Sequence, residues 1–552
     1  MKKALLLISA FAVSGSLFAQ TGNKNAVVNV ENNYTPVYIE VGKKNVTPSI
    51  ERQETRIPVD MDYSMNEIPY NGFTSENDIS EVLPKMEKQY PGYVRLGYGI
   101  TNDIDTKAAY RYNIGTAGTL KAFAAFDGFK GDVHGKYMDW NSRLFGTKVG
   151  VGYTHRFKPL TLDVDGRFGN SVFNYQNSGN IPSLYTDKQN EQTYGLTIGG
   201  TSNLPGAFSY NFKGDFGFIA RSYSAGERIG IGEGNFGIGG GIGYEVYNKW
   251  LKNIGVDLNV EAFLYTGALK TKGIGYNDYF SIDFDPYMNL TFDDWQVKAG
   301  IKTNFVTKGA SVLAVAPDIK VQGYLKENIT PYGSITGGRE SNSLADLSKT
   351  TPYWGIPLNG HNWLKPTYRI VDLNVGTRMS FSPISIDVNA GYAYTKDDLL
   401  QTMAPENSGS FTLMFVDFGQ ANTHHAYVSG KVGCDVFSWV KVSADARYDF
   451  WSCNNKDYLI MKPLFTANVN VEGRIIEHLT LQLGYNYTHY TKGKTLGRIY
   501  DKHDLYARVN YQINKRFGAY IQGNNLANCR FYDYAGYETR GIRGSLGATV
   551  NF

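Results

Sequence analysis

The sequence predicts an all-β protein, a transmembrane antiparallel β-barrel of about 22 strands preceded by a short N-terminal periplasmic extension. Three observations support this prediction. Apolar and polar residues alternate from about Gly92 to the C-terminus, the alternating segments are about ten residues long, and the connections tend to alternate between short and long. A soluble β-sandwich also alternates, but strands of this length with unequal connections are typical of outer-membrane barrels.

The alternation is clearest in the segment 479–488. Its odd positions are apolar or aromatic and its even positions are polar or glycine: Leu479, Leu481, Leu483, Tyr485 and Tyr487 against Thr480, Gln482, Gly484, Asn486 and Thr488. Because successive side chains of a strand point to opposite faces, such a segment has one apolar and one polar face. The same pattern recurs at 256–262, 371–381, 384–394, 465–474 and 505–513.

The connection lengths predict which end of the barrel faces the periplasm. Short connections are expected near 203–206, 248–253, 292–295, 326–328, 382–383, 435–438, 477–478 and 514–516. Long connections are expected near 129–145, 171–190, 338–368, 396–422, 450–460, 490–502 and 526–540. Periplasmic turns are short and outer loops long in such barrels, so an even strand number places both barrel termini on the periplasmic side.

Tryptophans mark both ends of the predicted barrel. Trp250, Trp295 and Trp439 lie beside short connections, and four others lie in or beside long ones: Trp140, Trp354, Trp363 and Trp451. Aromatic girdles at the two membrane interfaces explain this distribution. Packing at strand ends is the alternative explanation.

The composition excludes several classes of protein. Glycine supplies 61 of 552 residues and only 19% of residues are charged, while an aromatic content of 14% is too high for a disordered chain. Beyond the first twenty residues no run of 18 apolar residues occurs, which excludes a helical membrane protein. The net charge of +4 does not indicate a nucleic acid partner, and the three cysteines give no disulfide framework.

The N-terminus has the order of residues found in a secretory signal peptide. Lys2 and Lys3 precede the apolar segment Ala4–Val13, and small residues follow up to Ala19. We therefore expect residues 1–19 to be removed on export and the mature protein to reside in the bacterial outer membrane.

Residues 20–91 form the expected periplasmic extension, and residues 92–552 form the expected barrel. The extension contains six of the 18 prolines, which disfavours a compact domain built on a sheet. Short extended pieces are expected at 26–30 and 37–41, and a short helix is expected after Ser75.

The last hairpin resembles a known family. It contains Gly523-Asn524-Asn525-Leu526-Ala527-Asn528, the Tyr-rich segment 531–537, Gly541-Ile542-Arg543 and the terminal Phe552. This series is similar to the closing hairpin of TonB-dependent receptor barrels, and the segment 415–430 also resembles that family. The resemblance implies an outer-membrane receptor barrel and implies that Phe552 acts as the barrel-insertion signal.

The N-terminal part departs from that family. Its receptors carry a plug domain of well over a hundred residues before the barrel, whereas only Thr21–Pro91 precede the first predicted strand here. We therefore expect the standard plug to be missing. Residues 21–91 are expected either to serve as a substitute plug or to dock a periplasmic or outer-membrane protein partner.

Sequence signals for catalysis are absent or out of context. Gly232–Gly237 matches the dinucleotide-binding fingerprint but lies in a glycine-loaded strand region, where small residues would let a loop or the N-terminal arm approach the wall. None of the eight histidines has the spacing of a metal site, and adjacent His424 and His425 point to opposite faces of a strand. We therefore expect no enzyme, no cofactor and no metal site.

Two sets of residues are candidates for contact with a solute. A long loop combines aromatic and polar side chains suited to stacking on a sugar ring: Tyr353, Trp354, His361, Trp363 and Tyr368. Anchoring at the membrane interface is the alternative explanation for them. The inferred inner face carries a polar wall in which neither charge sign dominates, so it indicates no particular selectivity: Asp257, Glu261, Asp372, Arg378, Asp387, Glu472, Arg474, Arg508 and Arg543. It could line a path for an ion or a sugar, or it could be a salt-bridged wall that stabilises a wide barrel.

These observations favour a channel or receptor-like barrel for a small solute, surrounded by outer-membrane lipid. The alternative is a non-conducting structural or assembly component of a larger outer-membrane complex, anchored by the barrel and bound to its partner through residues 21–91.

Overall fold

The computed structural model describes residues 90–552 apart from 101, 136–138, 180–187, 204–206, 226, 272–275, 309–311, 326–327, 356–363, 409–410 and 494–498. The expected signal peptide, the extension up to residue 89, His361 and Trp363 lie outside the described residues, so the expectations for them stay predictions.

The described chain is built almost entirely of strands. They are β1 Gly92–Gly99, β2 Ile104–Ile114, β3 Gly118–His134, β4 Asp139–Arg156, β5 Leu160–Phe173, β6 Gln176–Gly179, β7 Gln189–Ser202, β8 Phe208–Ala225, β9 Glu227–Glu245, β10 Leu251–Gly267, β11 Tyr279–Phe292, β12 Trp295–Val306, β13 Leu313–Gly323, β14 Ile329–Glu340, β15 Thr367–Phe381, β16 Ile384–Ser408, β17 Phe411–Phe437, β18 Val440–Cys453, β19 Pro463–Ile476, β20 Leu479–Tyr490, β21 Lys502–Gln512, β22 Phe517–Asn524, β23 Tyr532–Tyr534, β24 Tyr537–Glu538 and β25 Arg543–Asn551.

The described residues contain few helices, and these are short. They are α1 Ala268–Thr271, α2 Leu344–Thr350 and a 3₁₀ helix at Lys456–Leu459. Within the described part of the chain, no helix has both the length and the apolar character needed to cross a membrane.

Twenty-two of the strands form one closed antiparallel ring, which confirms the predicted fold class. All strands except β6, β23 and β24 pair with their neighbours in chain order, and β1 pairs with both β2 and β25. Closure satisfies the backbone N–H and C=O groups of the first and last strands, which a lipid environment would otherwise leave unpaired.

The two faces of the wall follow the predicted alternation. In β10, Ile254, Leu258 and Leu264 are exposed on the outer, lipid-facing surface, whereas Asp257 and Glu261 lie half-buried on the inner face. The same division holds around the ring, so the barrel has an apolar belt outside and a polar lumen inside.

The tryptophan girdle is confirmed at one end of the barrel only. Trp250, Trp295 and Trp439 are exposed beside the short turns, as expected. At the long-loop end the prediction is wrong for Trp140 and Trp354, which are buried inside the barrel mouth, and for Trp451, whose ring stacks on His425 on the inner face. The outer aromatic band at that end consists of Tyr, Phe and His rings: Tyr392, His424, Tyr448, Phe465, Tyr485 and His503.

The short turns predicted at 248–253, 292–295, 382–383, 435–438, 477–478 and 514–516 agree with the structure, and those at 203–206 and 326–328 lie mostly outside the described residues. Two predicted long loops do not agree with the structure. Residues 396–422 belong mostly to β16 and β17, and much of 129–145 belongs to β3 and β4. The polar segment after Thr395 suggested a loop, yet Asp397 has a φ of +50° and marks a shift in register from which the pairing continues. A bulge of this kind bends a strand without ending it.

The glycine-rich β9 has glycine at four successive inner positions, 237, 239, 241 and 243. Neighbouring side chains lie over this glycine row: a Cβ at Gly241 would be 2.1 Å from Oδ1 of Asp257, and one at Gly239 would be 2.9 Å from Oδ1 of Asn259. Side chains of the adjacent strand therefore occupy the space at Gly239 and Gly241. The expected approach of a loop occurs at Glu233 of the same strand, which accepts a hydrogen bond from the Leu344 N–H, and the N-terminal arm lies outside the described residues. The fingerprint Gly232–Gly237 lies wholly within this strand.

The C-terminal residue lies at the seam of the ring. The backbones of Gly92 and Phe552 exchange hydrogen bonds of 2.9 and 3.0 Å. A Cβ at Gly92 would be 2.4 Å from the Phe552 ring, and that ring stacks on Tyr110 at a centroid distance of 6.2 Å.

We expect Phe552→Ala to destabilise the folded barrel by about 1 kcal/mol, because the ring contacts that cover the seam are lost. It should lower the amount of assembled barrel in cells by more than this loss explains, since the terminal aromatic is the predicted insertion signal. The measurement is the heat-dependent gel shift of the folded form, in membranes and after urea titration. Phe517→Ala, which removes a lipid-facing ring from the adjacent β22, is the matched control; equal assembly defects in both variants would contradict the prediction.

Candidate functional site

Three chain segments fill the barrel mouth at the long-loop end, which corresponds to the cell exterior in outer-membrane barrels. The inner loop comprises residues 341–355, between β14 and β15. The mouth hairpin comprises the distal parts of β16 and β17, residues 398–408 and 411–421. The terminal loop comprises residues 525–542, between β22 and β25.

The mouth hairpin connects opposite walls. The backbone of β6, in the connection that follows β5, pairs with residues 411–414 at the end of the hairpin. Along the ring of 22 strands, β17 lies eleven steps from β5 and is therefore diametrically opposite. The pairing places backbone across the full width of the mouth.

The inner loop is bound to the mouth hairpin by backbone hydrogen bonds. The Val416 N–H donates to the carbonyl of Tyr353 (3.0 Å), and the Gly355 N–H donates to the carbonyl of Val416 (3.2 Å). Because β17 and β14 arise from different parts of the wall, this contact joins two mouth segments into one body.

The sequence of the inner loop specifies its short helix α2. Ser343 caps the helix in a capping box with Asp346, and Leu344 and Leu347 are buried three residues apart on one face. The carboxylate of Glu233, on the inner face of β9, accepts a hydrogen bond from the Leu344 N–H (2.8 Å). A wall carboxylate thus holds the first turn of this helix inside the lumen.

Arg221, on β8, is the centre of the contact between the inner loop and the wall. Its guanidinium donates to the Tyr175 hydroxyl (2.8 Å) and to the Pro352 carbonyl (2.7 Å), and it lies 4.1 Å from the ring centroid of Trp354. The residue is 2% exposed. A guanidinium buried to this degree requires a nearby negative charge.

Glu191, on β7, supplies that charge. Its carboxylate is 3.6 Å from the Arg221 guanidinium and accepts a hydrogen bond from Ser348 (2.7 Å). The Ser348 hydroxyl in turn accepts from the indole N–H of Trp354 (2.8 Å). Charge and hydrogen bonds therefore fix both ends of the inner loop to adjacent strands of the wall.

Tyr175 completes this network. Its hydroxyl donates to the carbonyl of Trp354 (3.0 Å) while accepting from Arg221. Burial raises the pKa of Tyr175 to about 12, although the Arg221 charge acts in the opposite direction. The phenol therefore stays neutral and keeps its proton for the Trp354 carbonyl.

Tyr353 joins the inner loop to the terminal loop. Its ring stacks on Tyr537 at a centroid distance of 3.9 Å and meets Tyr534 edge-on at 5.5 Å. Trp140, from β4, contacts Tyr353 edge-on at 6.3 Å. Aromatic rings from three separate parts of the chain therefore meet at Tyr353.

Asn525 holds the start of the terminal loop. It has a φ of +47° and is fully buried, and its side-chain NH₂ group donates to the carbonyls of Cys529 (2.9 Å) and Arg540 (3.1 Å). Its amide oxygen accepts from the Cys529 N–H (3.0 Å). Asn tolerates this left-handed conformation and supplies all three bonds, which explains an Asn at this point of the motif.

The candidate ligand residues do not form one open surface. Tyr353 and Trp354 are buried between the mouth segments. Tyr368 lies on the wall in β15, where its hydroxyl donates to the carbonyl of Val315 (3.3 Å). Their contact with a solute stays a prediction.

The structure places the predicted polar wall on inner positions of six strands. These are Asp257 and Glu261 on β10, Asp372 and Arg378 on β15, Asp387 on β16, Glu472 and Arg474 on β19, Arg508 on β21 and Arg543 on β25. Arg378 and Asp387 form an ion pair (3.0 Å), Asp372 accepts from Arg369 (3.1 Å), and Arg508 lies 4.6 Å from the Tyr520 ring centroid. The positive and negative side chains of this wall interact with close neighbours, and they do not converge on a single site.

The sequence analysis missed Glu191, Arg221 and Glu233. Each is a charged residue at an inward-facing position near the long-loop end of its strand. A charged residue at such a position is the sequence signal that could have identified them as contacts of the mouth loops. Within the described residues, no group of three or more His, Cys, Asp or Glu side chains is arranged to hold a metal ion.

The closed ring, its apolar outer belt and its polar lumen define a 22-strand β-barrel of the outer-membrane type, with a mouth filled by its own loops. By sequence, no protein-family model and no curated protein matches the chain.

Solved outer-membrane receptors share the fold. The ferric enterobactin receptor PfeA of Pseudomonas aeruginosa aligns with 10% identity over 84% of this chain and 82% of that chain, with a TM-score of 0.63. The siderophore receptor PirA of Acinetobacter baumannii aligns with 10% identity over 85% and 81%, with a TM-score of 0.63. The ferric-catecholate import receptor Fiu of E. coli aligns with 10% identity over 84% and 82%, with a TM-score of 0.61. At this identity the similarity shows a shared fold.

Arg221→Met is expected to release the inner loop, because it leaves Glu191 buried without its positive partner at a cost of about 3–5 kcal/mol. Hydrogen exchange at residues 344–354 should speed up accordingly, while the barrel strands stay protected. Arg378→Met is the matched control, since that ion pair is half-exposed and its loss should cost about 1 kcal/mol or less. Unchanged exchange in the inner loop of Arg221→Met would contradict this assignment.

Proposed function

We propose that the protein is a receptor-type channel of the outer membrane, through which a small solute passes when the mouth segments move aside. The observation that carries the proposal is the meeting of segments from opposite walls at Tyr353 and Trp354. The mouth is closed by loops that are themselves connected to the wall, and loops can be displaced without opening the barrel.

The width and the lining of the barrel support passage of a solute. A ring of about 22 strands leaves a lumen too wide for its own wall side chains to fill. The inner face carries charges of both signs along its length, as in the pairs Arg378–Asp387 and Lys298–Asp318. Such a wall keeps the path hydrated without a strong preference for anions or cations.

The comparisons support the same class of function. The structures with this fold are named as receptors for ferric enterobactin or other siderophores and as an import receptor. For this chain the proposal is limited to a small solute. We propose passive passage with gating by loops, because the described loops themselves meet across the mouth.

Opening requires the loss of defined contacts. The inner loop must leave Arg221 and Glu191, and Tyr353 must separate from Tyr537. The tip of the mouth hairpin must separate from β6. A solute that competes for these polar and aromatic groups would lower the cost of opening, which couples binding to passage.

Removal of the inner loop should open the channel. We expect the intact chain to conduct little in planar bilayers, and a variant with residues 342–366 replaced by a short Gly-Ser linker to show steady conductance. Replacement of residues 308–311, in the connection between β12 and β13, by an equally long Gly-Ser linker is the control and should behave like the intact chain. A folded variant that stays silent even when the loop replacement is combined with deletion of residues 21–89 would refute the channel.

Deletion of residues 21–89 separates the two roles expected for the N-terminal extension. Conductance that appears only when this deletion is combined with the loop replacement would make the extension a second barrier. Conductance from the loop replacement alone would leave the extension free to dock a partner.

The second candidate is a non-conducting component of a larger outer-membrane complex. The pairing of β6 with the mouth hairpin favours it, because a strand pairing across the mouth makes the closed state rigid. In that case bilayers stay silent for all variants, and crosslinking from residues 21–91 in cells recovers one specific partner.

A further inference from the structure

A recess lies in the inner wall at the short-turn end of the lumen, far from the mouth segments. It has a volume of about 550 Å³ and is lined by residues of β15 to β21. Cavities that bind small molecules have volumes of roughly 300–1,000 Å³, so the recess has the size of a small-molecule site.

Small side chains create the recess. Four inner positions on neighbouring strands and one position in the turn between β15 and β16 carry nothing larger than serine: Ser380, Ser385, Gly433 and Ser443 on the strands, and Ser382 in the turn. At the next pair of inner positions of β15 and β16, towards the long-loop end, Arg378 forms an ion pair with Asp387 (3.0 Å). Arg378 also lies 4.6 Å from the ring centroid of Tyr332. Large side chains therefore fill the wall directly above, and the recess is bounded on that side.

Amides and a phenol bound the far side of the recess. The Tyr506 hydroxyl donates to the side-chain oxygen of Asn470, which fixes the amide and keeps its NH₂ group as a donor. Gln482 donates to the carboxylate of Glu472. These side chains are held by one another, so the lining is preorganised.

Charge contributes little to the recess. Asp435 and Lys441 are 3.7 Å apart and compensate each other, which leaves the hydrogen-bonded Glu472 as the remaining charged group of the lining. A phosphate or carboxylate ligand finds no excess of positive charge there. The dominant groups are hydroxyls and amides, each able to donate or accept.

We propose that this recess is a binding site for a neutral, polyhydroxylated solute of roughly mono- to disaccharide size. The inference rests on the proposed channel, in which the recess is the last subsite before the periplasm. The serine hydroxyls and the Asn470 amide match the alternating hydrogen-bond donors and acceptors of a sugar. The small side chains let the sugar ring come into contact with the wall.

The test is equilibrium binding of maltose to the intact, detergent-solubilised barrel by titration calorimetry. Saturable binding is expected. Ser443→Ala should weaken it about threefold to tenfold through the loss of one hydrogen bond. Ser443→Phe should abolish it by filling the recess.

Ser334→Phe is the matched control, because Ser334 is an inner serine of β14 outside the recess. It should bind maltose like the unmodified barrel, and the gel shift should show that all variants are folded. Equal losses in the two Phe variants, competition by sodium phosphate, or binding that requires deletion of residues 21–89 would overturn the proposal.

The two proposals fail separately. Maltose binding that depends on Ser443, in a barrel that stays silent in bilayers after both the loop replacement and the deletion of residues 21–89, refutes the channel and keeps the site. A conducting loop-deletion variant without maltose binding refutes the site and keeps the channel.

Discussion

The pairing of β1 with β25 is the interaction on which the rest of the structure depends. It joins residues 93–99 to 545–551 and removes both edges of a sheet that would otherwise expose unpaired backbone groups to lipid. Once the ring is closed, every strand has an outer and an inner face, and the two-residue period of the sequence becomes a division between lipid and lumen. The short contact between Gly92 and Phe552 at the end of this seam depends on glycine, since any side chain there would displace the terminal ring.

A rigid wall also makes the buried charges of the mouth tolerable. Arg221, Glu191 and Glu233 lie on neighbouring strands whose spacing the backbone hydrogen bonds determine, so their positions relative to one another are preorganised before the inner loop binds. Burial of an ion pair is costly unless its geometry is good and its remaining donors and acceptors are used. Here one nitrogen of Arg221 donates to Tyr175 and to the Pro352 carbonyl, and Ser348 donates to Glu191, which offsets part of that cost. The other two nitrogens of the guanidinium have no hydrogen-bond partner among the described residues.

The fold was accessible from the sequence because strand alternation is a local signal. The mouth was not, because its contacts join residues far apart in the chain, such as Tyr175 with Trp354 and Tyr353 with Tyr537. Local patterns also misled at particular points. The polar residues around Asp397 suggested a loop where a bulge continues the strand, and Trp140 and Trp354 suggested lipid anchors where rings are buried among loops. An isolated Trp beside a long connection has the same sequence pattern in both situations, and only its tertiary neighbours distinguish them.

The strand pairing between β6 and the mouth hairpin has a mechanical consequence. It acts as a tie across the diameter of the ring, and four residue pairs carry it. A wide barrel resists stretching along its hydrogen bonds but flattens easily into an ellipse, because flattening bends the sheet without breaking pairs. A tie between opposite walls opposes that flattening along one axis. The outer rim should therefore keep a nearly circular cross-section under lateral pressure from the membrane, whereas no strand pairing among the described residues crosses the periplasmic rim.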